Sequence, residues 1–129
     1  MIYSTFLRTI LKLDAASCLA MGAILVPGAA ALAEPLGMPS ELLLAAGAML
    51  IPLCLFISWL GTRHSGPAAL VWLVILGNVG WTAASLLLAA NLPGISAAGS
   101  AVTIAQGLVV LLLAMLEWRG LRGSETVRA

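Results

Sequence analysis

Charge is what this chain has least of. Five acidic and six basic side chains, with one histidine, serve 129 residues. A charged share of 9%, against about 25% in soluble domains, excludes an ordinary soluble globular fold. The net charge of +1 is too small for a nucleic-acid partner, which needs a cluster of cations against phosphates. The only lysine is Lys12, so no amine lies mid-span to form a Schiff base. The only histidine, His64, falls in a loop, which excludes a haem held by two histidines inside the protein. Cys18 and Cys54 are the only cysteines. They form no Cys-x-x-Cys, lie within apolar runs, and read as buried thiols serving as small apolar residues. There is no metal-spaced Cys/His/Asp/Glu cluster, no glycine-rich phosphate loop and no Ser-His-Asp set. The chain is therefore not expected to be an enzyme, nor to hold a metal or a cofactor.

What is present is hydrocarbon. Hydrophobic residues make up 62% of the chain and mean hydropathy is +1.12. Four runs, at 15–33, 41–60, 67–90 and 98–118, each have close to the ~20 residues a helix needs to cross a bilayer. They are continuous rather than alternating, which argues against a β-barrel. The expected fold is an all-α, antiparallel bundle of four transmembrane helices, a single domain over 1–129 with an amphipathic N-terminal extension. In that extension Tyr3, Phe6, Leu7, Ile10, Leu11 and Leu13 alternate with Arg8, Lys12 and Asp14, as in a helix lying at the interface. Ala31-Leu32-Ala33 looks like a signal-peptidase site, but the preceding run is long and holds Pro27, so it reads as a retained first helix.

The basic residues set the orientation. Arg8 and Lys12 precede the first run, Arg63 separates the second and third, and Arg119, Arg122 and Arg128 follow the fourth. Since Lys and Arg stay on the cytoplasmic side, both termini are expected there. Trp59, Trp72 and Trp118 fall at the same helix ends, as an interfacial belt would place them. The short 61–67 loop makes the second and third helices antiparallel neighbours. Gly120 and Gly123 are expected to break a polar, mobile tail.

Inside the bundle, counting helical rise from each end brings Pro27, Pro52, Asn78 and Gln106 to one level. The prolines free the carbonyls of Ala23 and Ala48, and the two amides are placed to satisfy them or to bond each other. Asn78, Trp81, Thr82 and Gln106 are thus candidates for a midplane polar layer, either structural or lining a small ligand site. Gly99, Thr103 and Gly107 on the fourth helix, and Gly77, Gly80 and Ala84 on the third, should pack closely around it. Asp14 is the candidate proton-coupled carboxylate, although the expected start of the first helix puts it at the membrane edge, at a different depth from Asn78. Glu34 and Glu41 read as solvated helix-end charges and Glu117 as an interfacial ion pair with Arg119.

The segments LRTILKLDAASCLAMG, LGMPSELLLAAGAMLIP and VWLVILGNVGWTAAS together resemble a group of uncharacterised small four-span bacterial inner-membrane proteins. The resemblance implies a multi-pass protein of the bacterial inner (cytoplasmic) membrane and brings no functional residue. Small multidrug-resistance transporters are similar in size and also carry one acid in the first helix, where Asp14 stands. The sparse aromatics and the edge position of Asp14 depart from them. The residues favour a non-enzymatic accessory or assembly subunit, packing against other membrane proteins or itself. The alternatives are a small proton-coupled transporter and a lipid- or quinone-binding module.

Overall fold

A computed structural model describes residues 1–128, with side chains through Ser124. Four helices follow in order: α1 Thr5–Leu36, α2 Ser40–Thr62, α3 Ala68–Asn91 and α4 Ala97–Arg128. All four are long and apolar enough to cross a membrane. The protein is an integral membrane protein built as an antiparallel four-helix bundle.

The buried residues explain the assembly. On α1 they run Leu7, Leu11, Asp14, Cys18, Gly22, Leu25, Ala29, and on α2 Leu43, Gly47, Leu50, Cys54, Ile57, Gly61. Spacings of three and four make a coiled-coil seam, which packs neighbouring helices with a shallow left-handed crossing. Gly22 and Gly47 lie where these two helices meet, and a methyl group on Gly47 would come within 2.7 Å of Leu25 Cβ. On α4, Gly107 faces Ser85 of α3, and Gly120 lies against Leu7 of α1. The bundle is thus two hairpins, α1–α2 and α3–α4, joined along α1 and α4; α2 and α3 scarcely touch. The short loop does connect antiparallel helices, but it leaves a fissure between them.

Each end is tied by backbone groups. Gly37 ends α1 in the left-handed region (φ 65°), with Met38 N–H donating to Ala33 O at 3.0 Å, the usual glycine stop. Ser96 then bridges to it: its N–H donates to Leu36 O (3.1 Å) and its hydroxyl to Pro35 O (2.7 Å). At the other end Ser4 caps α1 by accepting from Leu7 N–H at 3.1 Å. Its own N–H donates to Ser124 Oγ at 2.8 Å. Tyr3 N–H donates to His64 O and Gly66 N–H to Met1 O, so the first residues strap the α2–α3 loop.

Several expectations change. The amphipathic extension of the first helix is there, α1 being continuous from Thr5, but its apolar side chains Tyr3, Leu7 and Leu11 sit in the main core rather than at an interface. The reason is that Thr9, Lys12 and Leu13 lie on its exposed face while Leu7 and Leu11 continue the seam, and Asp14 is carried inward with them. Gly120 and Gly123 do not break α4, which extends to Arg128; close approach to Leu7 uses the first of them. Ala129, part of the expected mobile tail, lies outside the described residues. Gly77 and Gly80 do not pack on a neighbour, since a side chain at either would meet nothing within 4 Å.

Candidate functional site

Because the Ser4 cap of α1 lies ten residues before Asp14, that side chain is carried about 15 Å along the helix from it. It is 1% exposed, which corrects the expectation of a solvated membrane-edge acid. Glu117 corrects another. Its side chain is fully buried and accepts from Asn78, whereas Arg119 is exposed. Both acids occupy seam positions, and α3 supplies Asn78 between them.

The Asn78 amide gives one hydrogen bond to each acid. Nδ2 donates to Asp14 Oδ2 at 2.7 Å and to Glu117 Oε1 at 2.8 Å. Both donors are then used, so Asn78 does not serve the carbonyls of Ala23 or Ala48, nor Gln106. The depth count behind that expectation started α1 too late, and Pro27 lies thirteen residues, about 20 Å, beyond Asp14. Asp14 and Asn78 are at one depth, not two.

Two acceptor positions lack strong donors. Glu117 Oε2 is buried with no hydrogen-bond partner, and Asp14 Oδ1 meets the Cys18 thiol at 3.8 Å. The two carboxyls are within hydrogen-bonding reach of each other, and the groups acting on Glu117 are Asp14 and Asn78, neither a cation. Two buried acids facing each other without a base require a positive charge, a proton or a bound cation, to be stable in hydrocarbon. The thiols of Cys18 and Cys54, both free and buried, belong to the same core.

The rest of the expected layer forms a second cluster. Trp81 Nε1–H donates to Gln106 Oε1 at 2.8 Å. Gln106 Nε2 donates to Ser85 Oγ and to Thr103 O, both at 2.8 Å. Thr82 Oγ1 ties α3 to α4 between them, lying 3.0 Å from the Asn78 backbone O and 2.9 Å from the Gly107 backbone O. Ser85 is an addition that the sequence reading did not select, while Glu117 was read as an interfacial ion pair and Thr103 only as a packing residue beside the layer. The signal for Glu117 was the spacing 103, 107, 110, 114, 117, 121, 124 on α4, which places it on the seam.

Two cavities follow the fissure and share Trp81 as a wall. One of about 260 Å³ touches Asp14, Cys18 and Asn78. The other, about 530 Å³, lies toward the Gly37 end among Met21, Leu25, Met49, Leu88 and Gln106. The larger falls within the ~300–1,000 Å³ of small-molecule sites, which are likewise mostly apolar with few polar groups. Comparison with family models, curated proteins and solved structures returns no match.

Proposed function

We propose that the chain is a small proton-coupled carrier, in which the Asp14–Asn78–Glu117 group holds one positive charge at a time. The carrying observation is the fully buried acid pair bound by a single amide at the edge of a cavity. A proton fills the gap between the two carboxyls when no cargo is present; a cationic cargo replaces it. Asn78 is a positioning residue, because it keeps both carboxyls aimed at the shared gap. The two cavities give the cargo space along the bundle, and Trp81, fixed by Gln106, is the partition between them.

The accessory-subunit expectation drew on small-residue helix faces, the lack of a soluble domain and the lack of catalytic groups; the buried pair weighs against the last of these. The test is infrared spectroscopy of the purified chain in lipid, following the carboxyl C=O band from acid to alkaline pH. The band should titrate and should lose separate components in Asp14→Asn and Glu117→Gln. A carboxyl signal indifferent to pH would overturn the proposal.

A further inference from the structure

The α1–α2 seam sets a small residue against a large one in every layer but one. A Cβ on Gly61 would lie 3.4 Å from Leu11 Cβ, and one on Gly22 would lie 3.6 Å from Leu50 Cβ. The helices are antiparallel, so each advance along α1 is matched by an equal retreat along α2. The same count sets Ala15 against Ile57, and Leu25 meets Gly47. Between the two measured pairs fall Cys18 and Cys54, seven residues from the first and four from the second. This is the layer where a residue faces its own kind. Both thiols are free and buried. A disulfide needs Cβ atoms about 3.5–4.5 Å apart, and the layers on either side hold the helices at that spacing.

The two thiols are not equivalent. Cys18 is on the wall of the smaller cavity and Cys54 is not. The Cys18 S–H also donates to Asp14 Oδ1 at 3.8 Å. The cavity lies between α2 and α3, which barely meet, and its lining residues Leu53 and Leu73 are 40% and 60% exposed. It therefore opens toward hydrocarbon, and what reaches Cys18 must dissolve there. We propose that Cys18 and Cys54 are a dithiol that an organic hydroperoxide, arriving from the bilayer, oxidises to a disulfide within the chain. Asp14 takes the Cys18 proton, since the thiolate is the nucleophile. The sulfur attacks the peroxide, an S–O bond forms as the O–O bond breaks, and the departing alkoxide takes a proton back from the acid pair. Cys18 is then a sulfenic acid, which condenses with a thiol. The Cys54 sulfur displaces hydroxide from Cys18, and that hydroxide leaves as water with the Cys54 proton. The two sulfurs are oxidised and the peroxide is reduced, so two thiols and one hydroperoxide give a disulfide, an alcohol and water. A quinone is the poorer oxidant here, because its carbonyls need donors and both of those on Asn78 already serve the acids.

The test uses the full chain in nanodiscs, reduced and then freed of reductant. Cumene hydroperoxide is added, and free thiols are counted after denaturation with a maleimide that adds mass at each. One equivalent should remove both thiols and lower the intact mass by that of two hydrogen atoms. Cys54→Ser should stop at the sulfenic acid, which dimedone traps on Cys18. Cys18→Ser should leave Cys54 unreacted. Asp14→Asn should slow the loss of thiols about a hundredfold, the scale of a positioned base. Hydrogen peroxide, which prefers water to hydrocarbon, should react more slowly than cumene hydroperoxide at equal concentration. Thiols that survive excess hydroperoxide overturn the proposal, and so does an oxidised chain that runs as a disulfide-linked dimer. A dimedone adduct on Cys54 overturns the order of attack. Asp14→Asn reacting as fast as the parent removes Asp14 as the base, and a faster reaction with hydrogen peroxide overturns entry from the bilayer.

Discussion

Asn78 controls the energetics of the core because one amide satisfies two acids. Its replacement by leucine removes both donors at once and leaves buried acceptors on Asp14 and Glu117 without partners. Unsatisfied buried polar groups cost about 1–3 kcal/mol each, whereas replacing every partner by apolar side chains is nearly neutral. Asn78→Leu should therefore lower unfolding free energy by at least about 1 kcal/mol in mixed-micelle denaturation. In a chain already carrying Asp14→Leu and Glu117→Leu the same change should cost almost nothing. Equal costs in the two backgrounds would show that Asn78 stabilises something other than the acids. Cys18 belongs to the same site, since its thiol is the remaining neighbour of Asp14 Oδ1.

At the scale of helices, four apolar runs were legible because a bilayer demands length and hydropathy and little else. Their ends were harder to read. Polar residues in 1–14 and 119–128 suggested that α1 begins late and α4 ends early, yet both helices extend past the hydrocarbon, where charges are solvated. That shift of ten residues hid the acid pair: counted from residue 15, Asp14 is an edge charge, and counted from Thr5 it is deep. The seam periodicity, which does not depend on helix ends, would have placed Asp14, Asn78 and Glu117 inward together. Trp81 and Gln106 were both legible as members of a polar layer, but Gln106 was expected to bond Asn78 rather than Trp81, and Ser85 was not legible. Glycines allow a check on the same elements. Gly37 has φ 65°, and a Cβ there would strike Gly94 O and Ser96 N, so Gly37→Ala should destabilise by more than about 1 kcal/mol. Gly80 is helical and open, so Gly80→Ala should gain up to about 1 kcal/mol from helix propensity. Thermal unfolding in detergent should show midpoints moving in opposite directions; a shared direction would contradict the packing assigned to α1 and α3.

For the whole molecule, the two hairpins meet along α1 and α4 and part along α2 and α3, so any widening of the fissure would be a splay about the α1–α4 seam. The strap of residues 1–4 opposes that splay at the end bearing the termini. Tyr3 is its side-chain tie, with its hydroxyl donating to Pro67 O at 2.8 Å beside Gly66. Burial holds the Tyr3 phenol above its ordinary value, and the Arg63 charge offsets part of this. The neutral, donating form is thus favoured in the folded protein. Its contribution is complete below about pH 10, the ordinary tyrosine value, and is lost as pH rises through the folded-state value. Spin labels at Leu55→Cys on α2 and Leu76→Cys on α3, both exposed and at similar height, with Cys18 and Cys54 changed to Ala, would report the fissure width. The distance distribution should stay narrow up to about pH 10 and broaden above it. Tyr3→Phe should be broad at every pH and show no alkaline step. A Tyr3→Phe distribution as narrow as the parent would mean that the backbone bonds to His64 and Met1 hold the strap alone, and that the splay is limited elsewhere.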